Sequence, residues 1–231
     1  MRKPHAVIIG AGDGLSASLA RNLAPDYALT LAARSTTKVV AVAEATGAQA
    51  VQLDATDEDA VSALMEALPN SPRVMIYNPS MRLRGPVAEL DVDQVRSAVD
   101  VTAVGAFIAG KYAARRMLSA DPVDGVRGTI LFTGASAGVK GFPNSAPFAM
   151  GKFAQRGLAE SMARELHPKG IHVAWINVDG AVRNPGRTEP SDNPGSMLDP
   201  DAIAWSYRHL IEQDRSAWTN ELAVRPWVER F

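Results

Sequence analysis

The first chemistry legible in this chain is a turn suited to phosphate. Gly10-Ala-Gly-Asp-Gly-Leu-Ser16 follows a short apolar run and precedes a stretch with helical spacing. Glycines let the backbone turn tightly and approach a pyrophosphate, and the helix behind them offers unpaired N–H groups and the positive end of its dipole. Glycines alone are a weak signal, because any tight strand-to-helix turn can use them. Their place at the opening of a strand–helix–strand unit makes Gly10, Gly12, Asp13, Gly14 and Leu15 candidate dinucleotide contacts. About 20 residues further on, an NAD site carries an acid for the ribose 2′-hydroxyl. This chain reads Leu31-Ala-Ala-Arg34-Ser35 there instead. A carboxylate would repel a 2′-phosphate, whereas a guanidinium grips it through two parallel hydrogen bonds. Arg34 and Ser35 therefore predict NADP(H) as cofactor.

Other chemistries find little support. With no cysteine, disulfides, thiolate metal sites and a Cys nucleophile are excluded. The four histidines, His5, His167, His172 and His209, show no metal-ligand spacing on a shared face, and no metal is expected. No GxSxG elbow or Ser–His–Asp arrangement suggests a hydrolase. Arg183 and Arg187 could meet an anionic substrate, although charged loop residues are commonly just solvated.

Short apolar runs, expected as strands, lie at 6–10, 28–33, 48–54, 73–78, 128–134, 172–178 and 221–224. Helical spacing fills the intervals, as with Leu15, Leu19 and Leu23. Asp91 with Gln94 three residues on predicts a capping box opening a long helix to about Leu118. Asp199 before Pro200 predicts another helix start. The helix through Phe148 ends at His167-Pro168-Lys169-Gly170. Repeated strand–helix–strand units predict an α/β fold: one Rossmann domain over 1–231, with a doubly wound parallel sheet of about seven strands and helices on both faces. Residues 181–197 are dense in Pro, Gly, Asn and Ser and follow a strand directly. They fall at the carboxyl edge of the sheet, where ligands bind, so 181–199 is expected to form a substrate flap.

The glycine turn and three later stretches resemble the short-chain dehydrogenase/reductase family, and the resemblance covers essentially the whole chain. The glycine turn resembles the family's TGxxxGxG pattern in two glycines, lacking its leading Thr and last Gly. Leu53-Asp54-Ala55-Thr56 is similar to an LDVT stretch whose Asp contacts adenine. Tyr77-Asn78-Pro79-Ser80 stands where the family has NNAG. The run from Lys152 to Val173 is the most specific match. The resemblance thus adds Asp54, Ala55, Asn78, Lys152 and Val182 as cofactor contacts. It also implies hydride transfer between a nicotinamide and a carbonyl or alcohol, through an Asn–Ser–Tyr–Lys tetrad.

That tetrad is broken here. The YxxxK motif reads Phe148-Ala-Met-Gly-Lys152, so the lysine is kept and the phenol is gone. The Ser position holds Ala135, with Ser136 beside it, and the Asn position holds Thr102. The chain resembles an atypical branch with Phe in place of Tyr. Loss of a general acid costs on the order of 10²–10⁴-fold in rate, which leaves slow turnover open. Lys152, Ser136 and Ser145 are the protic groups near the Phe148 position. Lys152 is expected mainly as a cofactor ligand, because hydrogen bonding to the nicotinamide ribose needs no tyrosine. Two functions stay open: an NADP(H)-dependent oxidoreductase with an incomplete tetrad, or a non-catalytic NADP-binding sensor or scaffold.

The remaining expectations concern partners. A chain of 231 residues with 46% hydrophobic and 21% charged residues is ordinary for a folded domain. Net charge is -1 with the basic residues spread, so no nucleic-acid partner is expected. No apolar run reaches the roughly 20 residues of a membrane span. The short apolar start lacks the length of a signal peptide, and cytoplasmic placement is expected. The segment 218–231, with Trp218, Trp227 and Phe231, is expected to pack on the domain or to form a subunit interface. The family resemblance implies a homodimer or homotetramer acting on a small-molecule substrate.

Overall fold

The computed structural model describes residues 3–229. Seven strands form the main sheet: β1 (His5–Ile9), β2 (Ala28–Ala33), β3 (Gln49–Gln52), β4 (Pro72–Tyr77), β5 (Gly128–Thr133), β6 (Ile171–Val178) and β9 (Glu221–Val224). They are wholly parallel, in the order β3-β2-β1-β4-β5-β6-β9. All seven overlap the runs expected to be strands, with β1, β4 and β6 each beginning one residue earlier. The sheet is covered on both sides, so its central strands read as unbroken apolar runs rather than alternating ones. β1 is buried at every position. Its alternate side chains still go to different cores: Val7 and Ile9 to one face, Ala6 and Ile8 to the other.

On the first face pack α3 (Glu58–Ala67), α5 (Gly105–Leu118) and α6 (Ala146–Leu166). α5 contributes Ala106, Ala109 and Ala113, small residues that bring helix and sheet close. The second face is covered by α1 (Leu15–Leu23), α2 (Val40–Thr46) and α7 (Pro200–Glu212). Chain order reverses between β1 and β4, which opens a crevice at their carboxyl ends.

The start signals worked as expected at two helices. Asp91 accepts a hydrogen bond from the Gln94 N–H at 2.9 Å and opens α4 (Val92–Val99). Asp199 accepts from the Asp201 N–H at 2.8 Å, with Pro200 in the first turn of α7. The single helix expected to reach Leu118 is instead interrupted. Between α4 and α5 lies a π-helical segment, Asp100–Val104. Its carbonyls are claimed from outside: the Tyr77 hydroxyl donates to Val101 O at 2.5 Å, and Gln155 Nε2 donates to Thr102 O at 3.2 Å. Both donors come from distant parts of the chain, so the local sequence holds no sign of the break.

The Pro/Gly-rich segment is tied at its base. β7 (Ala181–Val182) pairs in parallel with β8 (Met197–Leu198) apart from the main sheet. Within it Glu189 accepts from the Met197 N–H at 3.0 Å, and Arg183 pairs with Asp199 at 2.5 Å. Of the late aromatics, Trp218 stacks on His172 with ring centroids 4.9 Å apart, whereas Trp227 is exposed. Phe231 lies outside the described residues. Among the described residues no helix is long and apolar enough to cross a membrane, and no cluster of His, Asp and Glu is arranged to hold a metal.

Gly105 marks where α5 resumes after the π segment, and a Cβ there would meet the Tyr77 hydroxyl and Ala55 O. In an open helix Gly→Ala gains ~1 kcal/mol. Overpacking against such neighbours costs about 1–3 kcal/mol, and more if the Tyr77–Val101 bond is lost. Gly105→Ala is therefore expected to lower stability in urea unfolding, and a gain would contradict this packing.

Candidate functional site

The glycine turn leaves β1 through Gly10, at φ 78°, a left-handed conformation that suits glycine. A Cβ there would also collide with the Pro79 ring. Gly14 is the N-cap of α1 and supplies no side chain to its first N–H groups. A Cβ at Gly12 would meet nothing within 4 Å, so a ligand can reach the backbone there. The cavity beside this turn, about 410 Å³, is bordered by the candidate residues Gly10, Arg34, Ser35, Asp54, Ala55 and Asn78, and also by Lys38.

Asp54 borders the cavity as a carboxylate held by its own turn. Its carboxylate accepts from Thr56 N at 2.9 Å and Thr56 Oγ1 at 2.8 Å. Those two bonds hold its pKa below the ordinary aspartate value, with Arg34 a smaller contributor. Two cations, an uncapped helix start and an open backbone position fit a phosphorylated dinucleotide. Asn78 borders this cavity, and its Nδ2 donates to Ser16 Oγ at 2.8 Å and to Gly10 O at 3.3 Å, tying β4 to the turn. Asp13 is exposed and borders neither this cavity nor the two beyond it.

A second recess, about 320 Å³, runs on toward the middle of the sheet edge. Leu15 and Val182 border it, with Phe148, Lys152 and Arg82. Lys152 lies in the core, 2% exposed, and donates to Thr133 O at 2.5 Å and Gln155 Oε1 at 3.2 Å. Burial, and then the charge of Arg82, push its pKa down to about 7. Gln155 is equally buried and joins the lysine to two further elements. Its Oε1 also accepts from Trp175 Nε1 at 3.3 Å, and its Nε2 reaches Thr102 O. Thr102 is fully buried, and its hydroxyl accepts from Met81 N at 3.2 Å.

Phe148 is 6% exposed and carries the Arg82 guanidinium 4.9 Å above its ring centroid. Beyond it a third cavity, about 410 Å³, is bordered by Ala135, Ser136 and Ser145, together with Arg82, Arg84 and Arg187. Ser145 is buried and precedes α6 without a side-chain capping bond. Arg183, a candidate anion ligand in the sequence, is neutralised by Asp199, while Arg187 faces the cavity. Arg82, Arg84, Lys38 and Gln155 were missed from the sequence. Arg82 and Arg84 had a usable signal: two basic residues just after a strand, at the edge where ligands bind. Three of the histidines hydrogen-bond within the fold, His5 on Thr30 Oγ1 at 2.9 Å, His167 on Val173 O at 3.1 Å and His172 on Thr219 O at 2.8 Å, whereas His209 is exposed.

The family model of short chain dehydrogenases matches residues 4–190. The chain belongs to the short-chain dehydrogenase/reductase family. Among its relatives, human 17-beta-hydroxysteroid dehydrogenase type 1 is 30% identical over 215 residues, 86% of this chain. The chain spans only 63% of that relative's length. Trans-4-hydroxycyclohexanecarboxylate dehydrogenase of Sinomonas cyclohexanicum is 31% identical over 196 residues, covering 78% of this chain and 73% of its own. The crystal structure of a short-chain dehydrogenase from Rhodopseudomonas palustris is 33% identical with TM-score 0.81, covering 98% of this chain and 100% of that one. A metagenomic short-chain oxidoreductase solved in complex with NADP shares the fold at TM-score 0.82 and 22% identity, covering 98% of this chain and 99% of that one.

The lysine gives this family member a pH signature. Folded, Lys152 loses its proton near pH 7, whereas unfolded it keeps it to about pH 10.4. Between those values the unfolded chain holds more protons, so the cost of burying the ammonium is full below pH 7 and fades as pH rises. In urea unfolding, wild type is expected to gain stability relative to Lys152→Met between pH 7 and 10. Parallel profiles for the two proteins would refute the shifted amine.

Proposed function

We propose that the chain is an NADP(H)-dependent oxidoreductase transferring hydride to or from a carbonyl/alcohol substrate, in an atypical branch of its family with Phe148 at the tyrosine position. One observation carries this reading: the recess holding Lys152 and the outer cavity share Arg82, Ala135, Phe148, Val178 and Gly180 as a common wall. A nicotinamide reaching the recess from the glycine turn would thus face whatever occupies the cavity. The names of the relatives, dehydrogenases of hydroxysteroid and hydroxycyclohexanecarboxylate substrates, support a small-molecule alcohol or ketone.

The dinucleotide supplies the hydride; the chain holds and orients. Gly10, Gly12, Gly14 and Leu15 meet the pyrophosphate half, and Asp54 with Ala55 borders the adenine end. Arg34, Ser35 and Lys38 hold the 2′-phosphate. Lys152 as ammonium has one N–H beyond those given to Thr133 and Gln155, and directs it into the recess toward the ribose. Asn78 acts by fixing the turn, and Val182 closes the recess from the flap at 181–199. Ser136 and Ser145 are the protic side chains on the substrate side, and the wall made by Phe148 donates no proton. Exposed apolar pairs three residues apart, Val104 with Phe107 and Met150 with Phe153, support self-association through the faces of α5 and α6. Cytoplasmic placement accords with the same reading.

Phe148 also favours a second reading, an NADP-binding sensor without turnover. Two measurements separate and test these assignments. NADPH is expected to bind at least tenfold more tightly than NADH, and Arg34→Ala to shrink that ratio through NADPH; equal affinities would remove the 2′-phosphate assignment. In a screen of carbonyls followed by NADPH absorbance, Phe148→Tyr is expected to raise kcat/KM by tenfold or more, within the range a positioned general acid supplies. Tight NADPH binding with no turnover in either protein would leave the sensor in place.

A further inference from the structure

The outer cavity holds an imbalance of charge that hydride transfer does not require. Arg82, Arg84 and Arg187 border it, and no Asp or Glu does. Several arginines elsewhere pair with carboxylates, as Arg183 with Asp199, Arg208 with Glu212 at 2.8 Å and Arg156 with Glu221 at 2.9 Å, although others, such as Arg34 and Arg73, do not. Among the described residues none of the three cavity arginines has a carboxylate within 4.0 Å. The chain as a whole carries a net charge of -1, so this is a local concentration rather than a basic protein's surplus.

Three like charges around one concavity repel one another, and low-dielectric walls strengthen that repulsion. Arg82 stays water-accessible through the cavity mouth, yet packing around its guanidinium, and then Arg84 and Arg187, hold its pKa below the ordinary arginine value. An anion bound among the three would relieve the repulsion. A planar carboxylate or a phosphate also matches the fork geometry of guanidinium donors. The arginines are graded in depth. Arg82 and Arg187 border both the recess and the cavity, whereas Arg84 borders the cavity alone. Around them Phe142, Pro143 and Phe148 supply apolar wall for the uncharged body of a ligand.

From this arrangement we infer that the substrate carries a carboxylate or phosphate, held in the outer cavity by Arg84 and Arg187 with Arg82 at its inner end, while its reacting carbon lies against Phe148. The inference rests on the oxidoreductase reading for the word substrate, and on the cavity alone for the anion.

Calorimetric titration tests it with benzoate, phenyl phosphate and the neutral benzyl alcohol, each run on NADP⁺-saturated and on cofactor-free protein. At least one anion is expected to bind the saturated protein tenfold or more tightly than benzyl alcohol, and the tighter of the two identifies the group as carboxylate or phosphate. Its affinity should fall as salt rises from about 50 to 500 mM, as screening of exposed charges requires. Arg84→Gln and Arg187→Gln should each weaken the anion several-fold and leave benzyl alcohol unchanged; both side chains are exposed, so neither change threatens the core. Equal affinity for all three probes, or anion affinity indifferent to both substitutions, overturns the inference. So does displacement of the anion by NADP⁺, which would assign the arginines to the cofactor's own phosphates. If NADP⁺ itself fails to bind, the oxidoreductase reading falls, and the cofactor-free titrations still decide the anion site.

Discussion

A lysine amine taken out of water must find its acceptors inside the protein, and the carboxyl edge of this sheet is organised around meeting that demand. Thr133 O, at the end of β5, takes one hydrogen of Lys152, and Gln155 Oε1, one turn further along α6, takes another. Gln155 then spends its remaining capacity on Trp175 from β6 and on Thr102 O from the π segment. Three elements are thereby joined through one amide, with β5 added by the lysine, and the amide's orientation is fixed, since its oxygen accepts twice and its nitrogen donates. Each buried polar group left unpaired would cost about 1–3 kcal/mol, so the network is more stable kept whole than in part.

The same network meets the long helix where it is interrupted. Tyr77 and Gln155 donate to Val101 O and Thr102 O within the π segment. Such turns recur beside functional sites. Thr102, in the middle of that turn, reaches Met81 N with its hydroxyl and so fixes the start of the loop carrying Arg82 and Arg84. Position in the outer cavity is inherited, through few contacts, from a glutamine and a lysine in the core.

Much of the architecture was legible because its signals are local. Apolar runs gave the seven main strands, Asp91 and Asp199 gave helix starts, and the glycine turn and Arg34 lie on one cavity. What stayed hidden depends on residues far apart in sequence. The carbonyls of the π turn are met by Tyr77 and Gln155, the Asn78 amide by Ser16, and the Arg183 charge by Asp199. Gln155 looked like an ordinary helix position, since nothing in its neighbours announces an indole and a carbonyl across the core. Arg84 and Arg187 lie roughly a hundred residues apart and face one cavity only after α6 and β6 have been placed between them.

On the proposed reading Phe148 stands in a tyrosine's place, and that bears on the arginines around it. Where a phenol stands one turn before a lysine, nearby positive charge has a use, because it stabilises the phenolate and lowers its pKa. Phe148 has nothing to ionise, yet the positive potential around it persists in Arg82, Arg84 and Arg187. Arg82 even lies on the ring, where an aromatic face attracts a guanidinium without neutralising it. Its charge helps to depress the Lys152 pKa, so the two cations are in conflict across the wall between recess and cavity. An anion in the outer cavity would shield the amine from Arg82 and raise its proton affinity. By thermodynamic reciprocity, protonation of Lys152 and binding of that anion then favour each other. The side chain that orients the ribose and the one that receives the substrate's charge would be linked through Arg82, with Phe148 as the surface that holds it there.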